Sequence, residues 1–137
     1  MPILTDSSFL IAAARQKERF HGEAVSSLAG LSGDHMAMPI TLLSESMGLV
    51  LSRWGVHVQR QVWDMFRASG IEVVPVGFET LEIARQIEER YADTGFGFAD
   101  CTLLAVCEEL RIARVLSFDR RLAVYRPSFA PGLEVLP

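Results

Sequence analysis

The sequence has few of the residues on which several common protein chemistries depend. It contains two cysteines and one lysine, Lys17, and no apolar run approaches the roughly 20 residues of a membrane-spanning helix. Cys101 and Cys107 lie on one predicted helix and point to different faces, which excludes a disulfide between them. We interpret both as small apolar core residues. The N-terminus also lacks the basic region and apolar stretch of a secretory signal, so we expect a cytoplasmic protein.

Sequence motifs of several enzyme classes are absent as well. The chain has no glycine-rich phosphate loop, no cysteine or histidine pairs at zinc spacing and no Gly-x-Ser-x-Gly nucleophile turn. His21, His35 and His57 share no regular spacing, and we interpret them as structural or solvent-facing. The net charge of -4 does not favour a bulk nucleic-acid binder, although carboxylates grouped in a site would themselves lower the total. The acidic residues are therefore the main candidates for chemistry.

Short apolar runs alternate with helical segments along the whole chain. With 137 residues, of which 50% are hydrophobic, the sequence fits one domain with its own core. The predicted strands are residues 2–5, 36–40, 71–76, 115–118 and 133–136. The predicted helices are residues 7–14, 20–29, 41–54, 57–69, 79–91 and 98–110, with Thr41 as the cap of the third. This alternation predicts a parallel sheet covered on both faces, a three-layer α/β/α sandwich. Pro75 places the third strand at an edge, or marks the end of its pairing.

Two of the predicted strands end at an aspartate. Asp6 closes the strand 2–5, and Asp119 follows the strand 115–118. The carboxyl ends of parallel strands meet at one edge of a sheet, and sites form there. Taken alone, the segment after the strand 2–5 is better explained by Asp6 or Ser7 as the N-cap of the next helix. Asp119 at the matching end of another strand favours two carboxylates in one site.

Two further acids lie on predicted helices. Asp100 opens the helix 98–110 on the stripe of its apolar face, where a carboxylate is costly to bury without a partner. The residues of that stripe are Leu103, Leu104, Cys107 and Leu110. Interaction with the helix dipole is the alternative for Asp100. Glu45 shares a stripe with Leu42 and Leu49, although an ordinary solvated glutamate is equally consistent with its position. Carboxylates placed in this way describe a site for a hard divalent cation.

Four motifs taken together resemble the PIN-domain nucleases, and most closely the VapC-type toxins of toxin-antitoxin pairs. They are Thr5-Asp6-Ser7-Ser8-Phe9-Leu10-Ile11, Glu45 in its helix, Phe98-Ala99-Asp100-Cys101 and Leu116-Ser117-Phe118-Asp119. The resemblance spans the chain and implies one PIN-like domain over residues 1–137. It implies that Asp6, Glu45, Asp100 and Asp119 are the acidic quartet, with Ser117 at the family's small hydroxyl position and Asp93 as an additional outer metal ligand. The segment Arg121-Leu122 departs from the pattern, because many relatives carry an aromatic residue shortly after the last acid.

The resemblance implies a metal-dependent endoribonuclease that hydrolyses RNA phosphodiester bonds with Mg²⁺ or Mn²⁺. Such ions supply hydroxide near neutral pH and stabilise a charge-rich transition state. Asp6 and Asp100 would be the central ligands, Glu45 and Asp119 would bind through water or hold a second ion, and Ser117 would orient Asp6 or a metal-bound water. Single-stranded or looped RNA is the expected substrate. The resemblance also implies a homodimer bound by a small antitoxin, and the apolar faces of residues 42–54 and 57–69 are candidates for the dimer contact.

Two other functions are left open by the sequence. One is a different metal-dependent phosphate enzyme, or an aspartyl phosphate receiver with Asp6 as the phosphoacceptor, but a receiver needs a lysine near the site and Lys17 is not at a strand end. The other is a catalytically silent PIN-fold binding module, which would have no reason to retain all four acids. Arg120, Arg121 and Arg126 follow Asp119 and are expected either to contact phosphate or to form an ordinary solvated loop.

Overall fold

The computed structural model of the chain describes residues 2–31 and 33–137. Within these residues the strands are β1 Pro2–Thr5, β2 His35–Pro39, β3 Glu72–Val74, β4 Arg114–Leu116 and β5 Glu134–Leu136. The α-helices are α1 Ser7–Ala14, α2 His21–Gly30, α3 Ile40–Trp54, α4 Val56–Ser69, α5 Phe78–Arg90 and α6 Phe98–Leu110. Two short 3-10 helices cover Ala92–Thr94 and Arg120–Val124. The predicted alternation of strands and helices is therefore confirmed.

The five strands form one parallel sheet in the order β3-β2-β1-β4-β5. β1 is the central strand, and its Leu4 pairs with Ala37 of β2 on one side and with Val115 of β4 on the other. β3 lies at one edge and ends at Val74, directly before Pro75. The predicted edge position is confirmed, because proline has no N–H to continue the ladder.

Neighbouring residues of the central strands enter two separate hydrophobic cores, one on each face of the sheet. Ile3 and Leu116 contact the smaller core, to which α1 and α2 also contribute. Leu4 and Val115 contact the larger core, which includes residues of α3, α4, α5 and α6. Alternation along a strand sends consecutive side chains to opposite faces, so the sheet is the middle of three layers. The predicted α/β/α sandwich is confirmed.

Several local predictions differ from the structure. α3 begins at Ile40, and Thr41 does not cap it but instead shares a 2.6 Å hydrogen bond with the Thr102 hydroxyl of α6. Leu110, predicted to face inward, is 50% exposed because α6 ends there, and the preceding residues 101–107 are buried all round the helix rather than along one stripe. β4 ends at Leu116, two residues before Phe118. Among the described residues, the helices are all too short or too polar to cross a membrane.

Candidate active site

The carboxyl ends of β1 and β4 open onto a cavity of about 490 Å³. Asp6 directly follows β1, and its backbone N–H donates to the carbonyl of Leu116, the last residue of β4, at 3.1 Å. The cavity wall contains all four acids predicted from the sequence, together with two arginines and two aromatic rings. They are Asp6, Glu45, Asp100, Asp119, Arg53, Arg121, Phe20 and Phe118. The fold thus brings acids from four distant segments of the chain to one place.

Asp6 is the most deeply buried of the four acids, with 3% of its surface exposed. One carboxylate oxygen accepts the N–H of Phe9 at 3.1 Å and the hydroxyl of Ser8 at 2.8 Å, and the other accepts the hydroxyl of Ser117 at 2.5 Å. The N-cap interpretation is correct, since Asp6 caps α1 through the Phe9 N–H. Capping uses only one oxygen and leaves the carboxylate in the cavity wall, so the two roles of Asp6 are compatible.

Burial raises the pKa of Asp6 from its ordinary 3.8 to about 6, because desolvation disfavours the charged form. This effect outweighs the three hydrogen bonds that favour the carboxylate, and the negative charge of Asp100 raises the pKa further. In the metal-free protein, Asp6 therefore keeps its proton to a higher pH than an exposed aspartate.

The hydroxyls of Ser8 and Ser117 hold the Asp6 carboxylate and tie it to the loop that follows β4. The Ser8 oxygen accepts the N–H of Phe118 at 2.9 Å, and the Ser117 oxygen accepts the N–H of Asp119 at 2.9 Å. Each serine thus donates to Asp6 while it fixes the backbone of the next acidic segment. Ser117 was expected to orient Asp6, and the hydrogen bond supports that role. Ser8 was not singled out for a role, and its only sequence signal is a hydroxyl two residues after Asp6.

Asp100 and Glu45 line the cavity from α6 and α3. Asp100 lies in the first turn of α6 and accepts the N–H of Gly97 at 3.2 Å, so it also caps the helix. Burial raises the pKa of Asp100, and the negative charge of Asp119 raises it further. Burial likewise raises the pKa of Glu45, and the charge of Asp100 adds to this effect. Asp100 therefore shares electrostatic repulsion with each of the other three acids.

Asp119 differs from the other three acids because it is paired with a cation. Both of its oxygens accept hydrogen bonds from the Arg121 guanidinium, at 3.0 Å from Nε and 2.7 Å from Nη2. The Arg121 backbone N–H also donates to Asp119, at 3.0 Å. These hydrogen bonds from Arg121 lower the pKa of Asp119 below its ordinary value. The pKa of Asp119 is therefore shifted in the opposite direction from the pKa values of Asp6, Glu45 and Asp100.

The four acids share one cavity but do not converge on one point. Across residues 2–31 and 33–137, no three His, Cys, Asp or Glu side chains lie close enough together to bind a single ion. Hydrogen bonds within the protein hold Asp6, Asp100 and Asp119 in these separate positions. The donor set itself consists of carboxylate and hydroxyl oxygens, which suit hard cations such as Mg²⁺ and Mn²⁺. The side chains would have to move to gather around an ion.

The other residues predicted for the site lie outside the cavity wall. Asp93 is exposed in the first 3-10 helix. Arg120 donates to the carbonyls of Val135 and Pro137, next to β5. Of the three arginines that follow Asp119, the cavity wall contains Arg121. Sequence reasoning also missed Arg53, whose position near the end of α3 gives no signal of contact with the cavity.

Comparison with known proteins identifies the family. The PIN domain family matches residues 3–126. The chain belongs to the PIN domain family. Ribonuclease VapC26 of Mycobacterium tuberculosis is 27% identical over 136 residues, which cover 98% of this chain and all of that protein. Together with the fold, these matches confirm the predicted resemblance to VapC-type PIN-domain nucleases.

Solved structures of PIN domain proteins share the fold of this chain. The crystal structure of VapC20 of Mycobacterium tuberculosis, described as a sarcin-ricin loop cleaving toxin, superposes with a TM-score of 0.83 at 22% identity. That match covers 98% of this chain and 99% of the other. DNA-bound VapBC from Salmonella typhimurium matches with a TM-score of 0.68 at 15% identity, over 98% of this chain and 96% of the other. At these identities the likeness concerns the fold alone.

Proposed function

We propose that this PIN domain protein is a metal-dependent endoribonuclease that hydrolyses RNA phosphodiester bonds as the toxin of a toxin-antitoxin pair. The observation that carries the proposal is the meeting of Asp6, Glu45, Asp100 and Asp119 in the wall of one cavity. The similarity to ribonuclease VapC26 supports the same activity. A protein that hydrolyses cellular RNA acts where RNA is abundant, so the proposal includes a cytoplasmic location.

The acids would hold one or two Mg²⁺ or Mn²⁺ ions. Asp6 and Asp100 are the central ligands of the proposal, and Glu45 and Asp119 bind through water or hold a second ion. When bound, such an ion lowers the pKa of its water and stabilises the charge that develops on phosphate. Ser117 keeps the Asp6 carboxylate oriented through its 2.5 Å hydrogen bond. Asp93 is given no role in this arrangement, because its side chain is exposed and outside the cavity wall.

The walls of the cavity suit an unpaired stretch of RNA. Phe20 and Phe118 are stacked with their ring centroids 4.6 Å apart and both contribute to the wall. Phe118 also stacks on Phe9, and the Arg19 guanidinium lies over the Phe20 ring, so these rings pack mainly against the protein. Arg53 and Arg121 add positive charge to a wall that is otherwise acidic, and the RNA backbone requires such contacts. We propose single-stranded or looped RNA as the substrate, because its phosphates can be splayed into such a cleft.

A manganese titration tests the metal site. We expect MnCl₂ to raise the Tm of the wild-type protein, because a cation bound only by the folded state stabilises it by about 2.7 kcal/mol at a hundred times its Kd. We expect a smaller increment for Asp6→Asn, which removes a charged ligand. Differential scanning fluorimetry in EDTA and in graded MnCl₂ measures both effects.

Cleavage of labelled RNA in the same buffers tests the activity. A wild-type Tm that does not respond to manganese, together with intact RNA, would identify the protein as a silent binding module of the PIN fold. A Tm that rises with manganese while the RNA stays intact would support the metal site but contradict RNA as the substrate.

The partners belong to the proposal as well. We propose a homodimer and a small antitoxin protein that covers the acidic cavity. Leu51 of α3 and Val56 and Trp63 of α4 are 48%, 42% and 42% exposed, and they fall within the two helices expected to form the dimer contact. Large apolar side chains exposed on neighbouring helices are typical of an interaction surface.

Light scattering tests the homodimer. We expect the wild-type protein to have twice the monomer mass of 15.2 kDa. We expect Trp63→Glu to shift the equilibrium toward the monomer, because a charge is costly to bury in an apolar contact. Phe78→Glu is the matched control, since Phe78 is 74% exposed on α5, outside the proposed contact. A monomeric wild type at high concentration would exclude the homodimer.

A further inference from the structure

Arg121 donates hydrogen bonds from all three of its side-chain nitrogens, although it is an exposed arginine. Its Nε and Nη2 atoms donate to the two oxygens of Asp119, and its Nη1 atom donates to the carbonyl of Gly95 at 3.0 Å. Gly95 lies in the loop that leads to α6 and Asp100. Arg121 thus bridges the two loops that deliver Asp119 and Asp100 to the cavity, while 52% of its side chain remains exposed.

The contact occupies the Asp119 carboxylate. One oxygen accepts both the Nε–H and the backbone N–H of Arg121, and the other accepts the Nη2–H. The guanidinium also places a positive charge beside Asp119, which repels a cation there, whereas the hydroxyl and N–H groups that hold Asp6 are neutral. Withdrawal of the guanidinium would therefore favour a cation at Asp119, and half of the Arg121 side chain is exposed.

The donors that Arg121 presents to Asp119 are those that arginine presents to phosphate. The planar guanidinium binds carboxylate and phosphate oxygens through the same pair of parallel N–H groups. The Arg121 side chain lies in the cavity wall, where it also interacts with the charge of Asp100. An RNA strand in that cavity would offer the guanidinium a backbone phosphate, whose oxygens match its pair of N–H donors.

We infer that Arg121 is a substrate-binding residue that Asp119 holds in the metal-free protein and releases to an RNA phosphate when Asp119 takes a cation. The inference rests on the function proposed above, since it assumes a cation and an RNA strand in the same cavity. It assigns to one arginine two partners in succession, Asp119 first and the substrate phosphate second. Arg120, the neighbouring residue, contacts carbonyls beside β5 instead.

The first experiment measures the competition between Arg121 and the cation. Isothermal titration with MnCl₂, in the absence of RNA, compares wild type, Arg121→Gln and the matched control Arg120→Gln. We expect Arg121→Gln to bind manganese about fivefold more tightly, because no ion pair has to be broken. We expect Arg120→Gln, which loses the same charge outside the cavity, to match wild type. Unchanged or weaker binding by Arg121→Gln would overturn the inference.

The second experiment measures the contact with phosphate. Fluorescence anisotropy follows a labelled RNA hairpin with an unpaired loop, once in EDTA and once in CaCl₂, with RNA integrity checked on a gel. We expect Arg121→Gln to lose about tenfold in affinity in calcium and little in EDTA, where the wild-type guanidinium stays on Asp119. Equal losses in both buffers would indicate a general charge effect and would overturn the exchange of partners.

The two experiments separate failure of the inference from failure of the proposed function. If wild type neither binds nor cleaves the hairpin, RNA is not the substrate and the second partner of Arg121 is rejected with it. The manganese titration then still decides whether Arg121 competes for Asp119. If RNA binds and is cleaved but Arg121→Gln behaves like Arg120→Gln, the function stands and Arg121 is only a structural ion pair.

Discussion

Asp100→Asn is expected to lower the rate of RNA cleavage at least about a hundredfold, the size of loss seen when one charged contact to a reacting centre is removed. Asp100 is the acid whose charge interacts with each of the other three, so it occupies the electrostatic centre of the quartet. Asparagine has nearly the same shape but cannot supply a negative oxygen to a cation. Single-turnover cleavage in MnCl₂ measures the loss.

The Asp100→Asn variant is expected to stay folded. The Asn side-chain oxygen can still accept the N–H of Gly97, so the capping contact at the start of α6 is kept. Circular dichroism and urea unfolding check this point. Asp93→Asn is the matched control, because Asp93 is an exposed acid seven positions earlier and outside the cavity wall. Wild-type cleavage by Asp100→Asn, or an equal loss in Asp93→Asn, would contradict the assignment.

Asp6→Asn is expected to raise the Tm of the metal-free protein near pH 7.5 by about 5 °C. Holding a carboxyl with a pKa of about 6 as an anion costs the folded state about 3 kcal/mol relative to the unfolded value of 3.8, an upper limit for the gain. Asparagine can accept from Phe9 and Ser8 with its oxygen and donate to the Ser117 hydroxyl with its amide. Scanning fluorimetry in EDTA measures the change.

The gain in Tm of Asp6→Asn over wild type should increase as the pH rises. Below about pH 4, Asp6 is protonated in the folded and unfolded states alike, so the wild type carries no penalty. Between about pH 4 and 6 the unfolded chain ionises first, and the stability of the wild type falls as pH rises through the folded pKa of about 6. The difference in Tm between Asp6→Asn and wild type should therefore be small at pH 4 and reach its full size above pH 6.

Glu108→Gln is expected to lower the Tm, which is the opposite of the effect expected for Asp6→Asn. Burial raises the pKa of Glu108, but the hydrogen bonds from Ser128 and Tyr125 are stronger in sum and lower it. Replacing this carboxylate removes a charge that the folded state favours, so we expect a lower Tm near neutral pH. If Asp6→Asn also lowers the Tm in EDTA, Asp6 is a structural carboxylate of the same kind and the strained-site interpretation is wrong.

The sequence predicted the fold well because hydrophobic periodicity decides it. The apolar runs beginning at Pro2 and Val115 are short and bounded by helical segments, which is typical of buried parallel strands. Element ends were less predictable. Leu110 fits the periodic stripe of α6, yet the helix stops there, since Arg111 adopts the left-handed conformation with φ of 54°. A single-residue change of conformation of this kind leaves no trace in periodicity.

The acids of the site were predictable from the predicted strands and helices, but their hydrogen-bond partners were not. Asp6 and Asp119 stand at strand ends, and a parallel sheet brings strand ends together whatever the loops do. The contact of Arg121 with Asp119 depends on the path of the loop after β4, which no spacing rule fixes. Ser8 was overlooked because its second contact, the N–H of Phe118, is 110 residues away along the chain. Its role exists only in the folded arrangement.

That separation along the chain has a consequence during protein synthesis. Asp6 is made almost at once, but the Ser117 hydroxyl that holds it is 111 residues further along, and β4 must dock beside β1 before the two can meet. A ribosome-bound chain that has not yet exposed β4 therefore lacks both Asp119 and the Ser117 contact at the site. The complete site can form only when translation is nearly finished.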